Sequence, residues 1–118
     1  IVMIGRSTLV GTPLSIMLSG KNATVTLCHS YTDQIPNNLN QHCARADIIV
    51  VAAGCPNLIT KESIKPGCVV IDVGTNVIEY NDKNKAKIIG DASYKEIKEL
   101  VSAITPVPGG VGPLTVAM

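Results

Sequence analysis

Apolar residues in this chain fall in short continuous runs separated by segments of helical period. Residues 1–4 are apolar without a break and stop at Gly5, and 48–53 follow Asp47 and stop at Gly54. A third run, 68–73, leaves a Lys65-Pro66-Gly67 turn and closes at Gly74. Residues 23–27 are β-branched and apolar, and 100–104 form a last run. Such runs, lacking polar alternation, predict strands buried on both faces. Between them, 10–18 places apolar residues at 10, 14, 16, 17 and 18 and predicts a helix with Pro13 in its first turn, where proline is tolerated. A weaker helix is expected at 35–43, a short one at 60–64, and another at 93–99 with Ser93 as N-cap. Two β-prone pieces within 77–89 flank 81–85 and predict a hairpin. Strands alternating with helices at this spacing imply an α/β fold, a doubly wound parallel sheet with helices on both faces and a small β-hairpin insertion.

In such sheets, ligands bind beyond the carboxyl ends of the strands. Here those ends carry Gly5-Arg6-Ser7, Cys28-His29-Ser30, Ala53-Gly54, Gly74-Thr75 and the segment 105–113. That last segment reads Thr-Pro-Val-Pro-Gly-Gly-Val-Gly-Pro, with three prolines and three glycines in nine residues. Proline fixes φ and removes a donor, while glycine lets another molecule approach the backbone. A flexible linker would be rich in Ser, Gln, Lys or Glu. This segment has no charge and one hydroxyl, and it lies between two apolar runs. It is expected to be a stiff loop lying against a flat ligand.

The turn after the first strand reads Gly5-Arg6-Ser7-Thr8-Leu9-Val10-Gly11 and opens a helix, the context of a dinucleotide fingerprint. The spacing is Gly-x-Ser-x-x-x-Gly. Ser7 in place of the middle glycine offers a hydroxyl to a phosphate, and helix N-terminal amides offer the rest. Alone, the motif also suits an ordinary strand–helix turn; its place on the ligand rim favours a nucleotide. A Walker loop is excluded, because Thr12-Pro13 follows Gly11. At the end of the second strand an NAD site would hold Asp or Glu for the ribose 2′-OH. This chain has Cys28-His29-Ser30, with its first acid at Asp33. Arg6 beside Ser30 suits a 2′-phosphate, so NADP is favoured over NAD.

Composition narrows the picture. One domain is expected from 118 residues, 46% of them apolar, with no Phe or Trp. The net charge of +1 gives no reason to expect nucleic acid or a membrane surface as partner. No run reaches the roughly 18 apolar residues of a membrane span. Four cysteines (Cys28, Cys43, Cys55, Cys68) form no Cys-x-x-Cys pair. They read as small hydrophobes in a reducing compartment rather than as a zinc or disulfide framework. The chain opens inside a strand and stops in what reads as the first turns of a helix, so a longer parent protein is expected. Tyr94 and Lys98 stand at Tyr-x-x-x-Lys spacing on one helix face, but on a charged helix expected to lie away from the rim. They read as surface residues.

Taken together, Gly5-Arg6-Ser7, Val10-Gly11-x-Pro13, Cys28-His29-Ser30, Lys65-Pro66-Gly67, Asp72-Val73-Gly74-Thr75-Asn76, Gly90-Asp91 and the 105–113 loop resemble the methylenetetrahydrofolate dehydrogenase/cyclohydrolase family. The resemblance covers essentially the whole chain and matches that family's C-terminal, Rossmann-like NADP-binding domain. It implies oxidation of 5,10-methylenetetrahydrofolate to the methenyl form with NADP, then hydrolysis to 10-formyltetrahydrofolate. By the same resemblance, Gly5, Arg6 and Ser7 contact the cofactor phosphates and Ser30 the 2′-phosphate. Thr75 and Thr115 lie beside the cofactor, and Pro108, Gly109, Gly110, Val111 and Gly112 line the folate cleft. Tyr31 stands where many members have a basic residue. The family's catalytic Tyr-x-x-x-Lys belongs to an N-terminal domain absent from this chain, so no catalytic residue and no metal ligand is carried over. The implied partners are tetrahydrofolate derivatives, the N-terminal domain, and a second copy in a homodimeric full enzyme, in a cytoplasmic or mitochondrial setting. A non-catalytic nucleotide-binding module and a different two-domain NADP oxidoreductase are the alternatives.

Overall fold

The computed structural model describes residues 1–34, 36–80 and 86–113, the side chains of 78–80 and 86 excepted. The elements run β1 (Val2–Ile4), α1 (Gly11–Gly20), β2 (Thr26–Cys28), α2 (Asn38–Cys43), β3 (Ile48–Val51), β4 (Val69–Asp72), β5 (Asn76–Tyr80), β6 (Ala86–Ile89), α3 (Tyr94–Ile97) and β7 (Ala103–Ile104). Five strands form one parallel sheet in the order β2-β1-β3-β4-β7, and β5 and β6 pair antiparallel as a separate hairpin. The chain leaves β1 for β2 on one side and then crosses to β3 on the other. The switch in strand order therefore lies between β1 and β3, where a crevice opens in sheets of this kind.

Successive side chains of a strand face opposite sides, and the register uses this. Val2 pairs with Ile49, Ile4 with Val51 and Ile49 with Val70, so these side chains share one face. They are buried there with Leu39 and Cys43 of α2 and Ile97 of α3. Each such burial contributes about 1.5–3 kcal/mol. The other face carries Ile48, Val50 and Ile71, with Leu14 and Leu18 of α1 across an apolar cavity. Helices thus lie on both faces, as the strand pattern implied.

α1 is as long as the sequence suggests, but the other helices are shorter. Residues 60–64 form only a turn, in which the Thr60 amide donates to Ser63 Oγ at 3.2 Å. Five residues are too few to offset the cost of nucleating a helix. In place of a helix over 35–43, the chain makes a 3-10 turn at Thr32–Gln34 followed by α2; Ile35 lies outside the described residues. Ser93 precedes α3, but its hydroxyl caps nothing and donates instead to Asn57 Oδ1 at 3.2 Å. The hairpin expected at 77–89 is β5 and β6, and its tip, 81–85, lies outside the described residues.

All four cysteines are free thiols; Cys28, Cys43 and Cys68 are buried and Cys55 is exposed. Burial pushes the Cys43 thiol from its ordinary 9.0 up to about 12, with Cys28 and Cys68 nearby adding to the effect. The folded chain keeps this proton where the unfolded chain releases it. The stability involved is complete below about pH 9 and is lost as the pH climbs toward 12. Iodoacetamide at neutral pH is expected to label Cys55 alone, with the three core thiols reacting only in denaturant. Peptide mass spectrometry checks this, and labelling of Cys43 in the folded protein would contradict it.

Candidate functional site

The turn after β1 is folded tightly onto the start of α1. Gly5 has φ +113, a conformation that L side chains rarely adopt, and a Cβ there would press on the Ala52 carbonyl. A Cβ at Gly11 would overlap the Gly5 carbonyl, so the helix sits on the turn only because both positions are glycine. The Ser7 carbonyl accepts from the Thr12 amide at 3.0 Å, and Thr12 Oγ1 donates to the Arg6 carbonyl at 3.0 Å. Ser7 Oγ accepts from the Val10 amide at 3.3 Å, which leaves the hydroxyl hydrogen free to donate outward. Among the described residues, nothing accepts from the Thr8 or Leu9 amide. A hydroxyl and exposed amides ahead of a helix are a fitting donor set for phosphate.

The loop after β2 is closed by its own side chains. The His29 amide donates to Thr32 Oγ1 at 2.8 Å, and the Thr32 amide returns to the His29 carbonyl at 2.9 Å. Asp33 Oδ1 accepts from the Leu39 amide at 3.1 Å, so the first carboxylate after β2 is engaged in holding the turn onto α2. The Arg6 guanidinium lies 5.7 Å from the centre of the Tyr31 ring, a cation–π contact worth about 0.5–1 kcal/mol at an exposed site. Tyr31 thus supplies a surface on which the Arg6 guanidinium rests.

Gly5, Arg6, Ser7 and Ser30 line one cavity of about 450 Å³ at the β1–β3 switch, together with Ala53 and Cys55 from the end of β3. Thr75 is not among them. It lines a second cleft, of about 330 Å³, with Pro108, Gly109, Gly110, Val111 and Gly112. The residues named from the sequence therefore fall into two groups on one rim, and Thr115 lies outside the described residues. A third hollow, of about 500 Å³, is bordered by Tyr94, Lys95, Thr105 and Pro106. Tyr94 is closer to the rim loop than the sequence suggests, but Lys98 does not line this hollow.

The glycines of the last loop differ in why they are glycine. Gly109 has φ +103. A Cβ at Gly110 would overlap the Pro106 carbonyl of the same loop, whereas at Gly112 it would meet nothing within 4 Å. Sequence reasoning gave no structural role of their own to two residues behind the rim, Asp72 and Asp91, both buried. Asp72 accepts from the amides of Gly74 (2.9 Å), Asp91 (3.0 Å) and Ala92 (2.9 Å). Burial nonetheless raises its carboxyl above the usual range, and the three amides and the Asp91 charge only modify that shift. The available signal was an acid closing an otherwise apolar strand.

Over residues 1–118 the chain matches the family model described as tetrahydrofolate dehydrogenase/cyclohydrolase, NAD(P)-binding domain. The chain belongs to this family. It is 52% identical over 117 residues to the bifunctional protein FolD of Brevibacillus brevis, covering 99% of this chain and 38% of that one. It is 50% identical to the mitochondrial bifunctional methylenetetrahydrofolate dehydrogenase/cyclohydrolase of Drosophila melanogaster, with 99% and 40% covered. Among solved structures, the Trypanosoma brucei FolD complexed with NADP cofactor and an inhibitor matches with TM-score 0.87 and 37% identity, over 98% of this chain and 39% of that one. The Campylobacter jejuni enzyme FolD matches with TM-score 0.86 and 44% identity, over 98% and 38%. The chain thus spans about two fifths of the length of these relatives, and it is the part that is an NAD(P)-binding domain.

The loop glycines give a direct check on this geometry. Gly110→Ala is expected to lose about 1–3 kcal/mol, because the new methyl strikes backbone that cannot step aside. Gly112→Ala meets open space and should stay within about 0.5 kcal/mol of the parent. Urea denaturation of the two variants measures the contrast, and equal losses would contradict the loop conformation.

Proposed function

We propose that this chain is the cofactor-binding half of a bifunctional enzyme. That enzyme oxidises 5,10-methylenetetrahydrofolate to 5,10-methenyltetrahydrofolate with NADP and hydrolyses the product to 10-formyltetrahydrofolate. The observation that carries the reading is the cavity at the β1–β3 switch. It brings Gly5, Arg6, Ser7 and Ser30 together with Asp33, whose Oδ1 is engaged by the Leu39 amide. The names of the relatives support both activities for the parent protein.

In this reading, the Ser7 hydroxyl and the amides before α1 bind the cofactor phosphates, with Gly5 and Gly11 keeping the backbone close. Arg6 and Ser30 bind the 2′-phosphate, Arg6 being held by the Tyr31 ring. Bound NADP would accept the hydride of the oxidation step. Thr75 lies on the nicotinamide side, and Thr115 beside the cofactor. Pro108, Gly109, Gly110, Val111 and Gly112 form one wall of the folate cleft, and Gly112 leaves open space at that wall. The opposite wall and the proton-transferring groups belong to an N-terminal domain of the parent, which would work as a homodimer. Four free thiols suit a cytoplasmic or mitochondrial setting alike, and the Drosophila relative is mitochondrial.

Two outcomes are expected. In the full-length parent, NADP should bind more tightly than NAD. An Arg6→Ala, Ser30→Asp variant should lose that preference by about tenfold or more, since charge-assisted bonds are worth about 1.5–3 kcal/mol. Calorimetry with both dinucleotides measures it, and a preference that survives the double variant would sink the assignment. Residues 1–118 alone should turn over neither folate substrate, because hydride transfer needs both reactants held within reach and the hydrolysis needs the proton-transferring groups of the N-terminal domain. Steady turnover by this domain, abolished by Lys98→Ala, would instead give Tyr94 and Lys98 the catalytic role denied them here.

A further inference from the structure

Asp91 is fully buried, and its carboxylate collects four donors. Oδ2 accepts from the Ala53 amide at 2.8 Å and the Gly54 amide at 3.1 Å. Oδ1 accepts from the Cys55 amide and from Asn76 Nδ2, both at 2.9 Å. Three successive backbone amides leaving β3 thus converge on one side chain more than thirty-five residues away in sequence. Among the described residues no cation pairs with it. The charge is satisfied by oriented amides, which bind a carboxylate well in such a concave array.

Asp91 is itself clamped. Its amide donates to Asp72 Oδ1 at 3.0 Å, and its carbonyl accepts from the Ile59 amide at 3.0 Å. A Cβ at Gly74 would overlap its carboxylate, so the chain leaving β4 packs directly on it. The residues it holds are not remote from the site. Ala53 and Cys55 are wall residues of the cavity that also contains Gly5, Arg6, Ser7 and Ser30. Asn76, its fourth donor, adjoins Thr75 in the second cleft. One buried carboxylate therefore touches the supports of both ligand-facing groups.

We propose that Asp91 is the positioning residue of the cofactor cavity, its carboxylate fixing residues 53–55 as a pre-formed wall and, through Asn76, keeping that wall in register with the loop carrying Thr75. The proposal rests on the cofactor-binding reading given above. It predicts more than a contribution to folding. A wall fixed before the ligand arrives lowers the ordering cost of binding, so its loss should weaken cofactor affinity even in molecules that remain folded.

The test is Asp91→Asn in the full-length parent. This change is isosteric, but its NH2 group must face N–H donors at one of the two oxygen sites, so at least one backbone amide of 53–55 loses its acceptor whichever way the group turns. The expected result is an NADP Kd weakened about tenfold, from backbone amides left without an acceptor. The kcat at saturating NADP should stay within about twofold, and amide exchange should accelerate at residues 53–55. Asn76→Ala removes one donor and should weaken NADP binding in the same direction by about twofold to fivefold. It decides the question if Asp91→Asn does not fold, and wild-type affinity in Asn76→Ala would then overturn the proposal. An unchanged Kd in Asp91→Asn, or a kcat that falls at constant NADP KM as the active fraction drops, also overturns it. A parent protein that binds neither NADP nor NAD would defeat the functional reading itself. Unchanged affinity in the variants of a parent that does bind NADP defeats the positioning role alone.

Discussion

Two carboxylates, Asp72 and Asp91, are withdrawn from water just behind the ligand rim, and the loops of that rim take their positions from them. A buried unpaired charge is costly by several kcal/mol unless polar groups surround it. Here the surroundings are backbone amides: Gly74, Asp91 and Ala92 donate to Asp72, and Ala53, Gly54 and Cys55 donate to Asp91. Each of these backbone donors lies outside the named strands, and Asn76 of β5 adds a side-chain donor to Asp91. The same bonds that offset the desolvation of the acids also fix the loops that follow β3, β4 and β6. The strand end that precedes the last loop joins the same network, because the Asp72 amide donates to Thr105 Oγ1 at 2.8 Å. Gly74 and Gly90 follow from this arrangement, since a Cβ at either would overlap Asp91 or Asp72, respectively.

The sheet was legible in the sequence because its strands are continuous apolar runs, and burial on both faces leaves few other arrangements for 1–4, 48–53 and 68–73. The closing glycines marked the ends of β1 and β4 closely, but β3 stops at Val51, the strand expected at 23–27 is Thr26–Cys28, and the run 100–104 is strand only at Ala103–Ile104. The helices were read less well. α3 and the 60–64 turn are tied down by hydrogen bonds to distant residues, such as that from Ser93 to Asn57, and a local pattern carries no information about those. The same limit hid the carboxylate network. Asp91 is joined to 53–55 across more than thirty-five positions, and nothing in either segment alone announces the other. The rim residues were legible for the opposite reason: β1, β2 and β3 are parallel, so their carboxyl ends must lie together whatever the loops do. Thr75 was placed beside the cofactor by the family resemblance, and the structure puts it in the second cleft. The second cleft forms where the proline-glycine loop folds back, which the strand pattern does not encode.

In the cofactor reading proposed above, the groups offered to the phosphates mainly carry no net charge: the Ser7 hydroxyl, loop amides and the dipole of α1. Donors of this kind select for an anion but do not discriminate strongly between dinucleotides. Discrimination falls to the loop after β2, and there the decisive fact is how Asp33 is used. Its carboxylate holds the Leu39 amide, and the turn at Thr32–Gln34 depends on that bond. Pulling it toward a ribose would leave a partly buried amide unsatisfied, at a cost of about 1–3 kcal/mol. Arg6, meanwhile, rests against the face of Tyr31 in the same cavity as Ser30 and Asp33, and among the described residues it forms no ion pair. In the proposed reading, Arg6 on its aromatic support is the group of this cavity that meets the extra phosphate of NADP, while Asp33, which lines the same cavity, has one carboxylate oxygen committed to the turn.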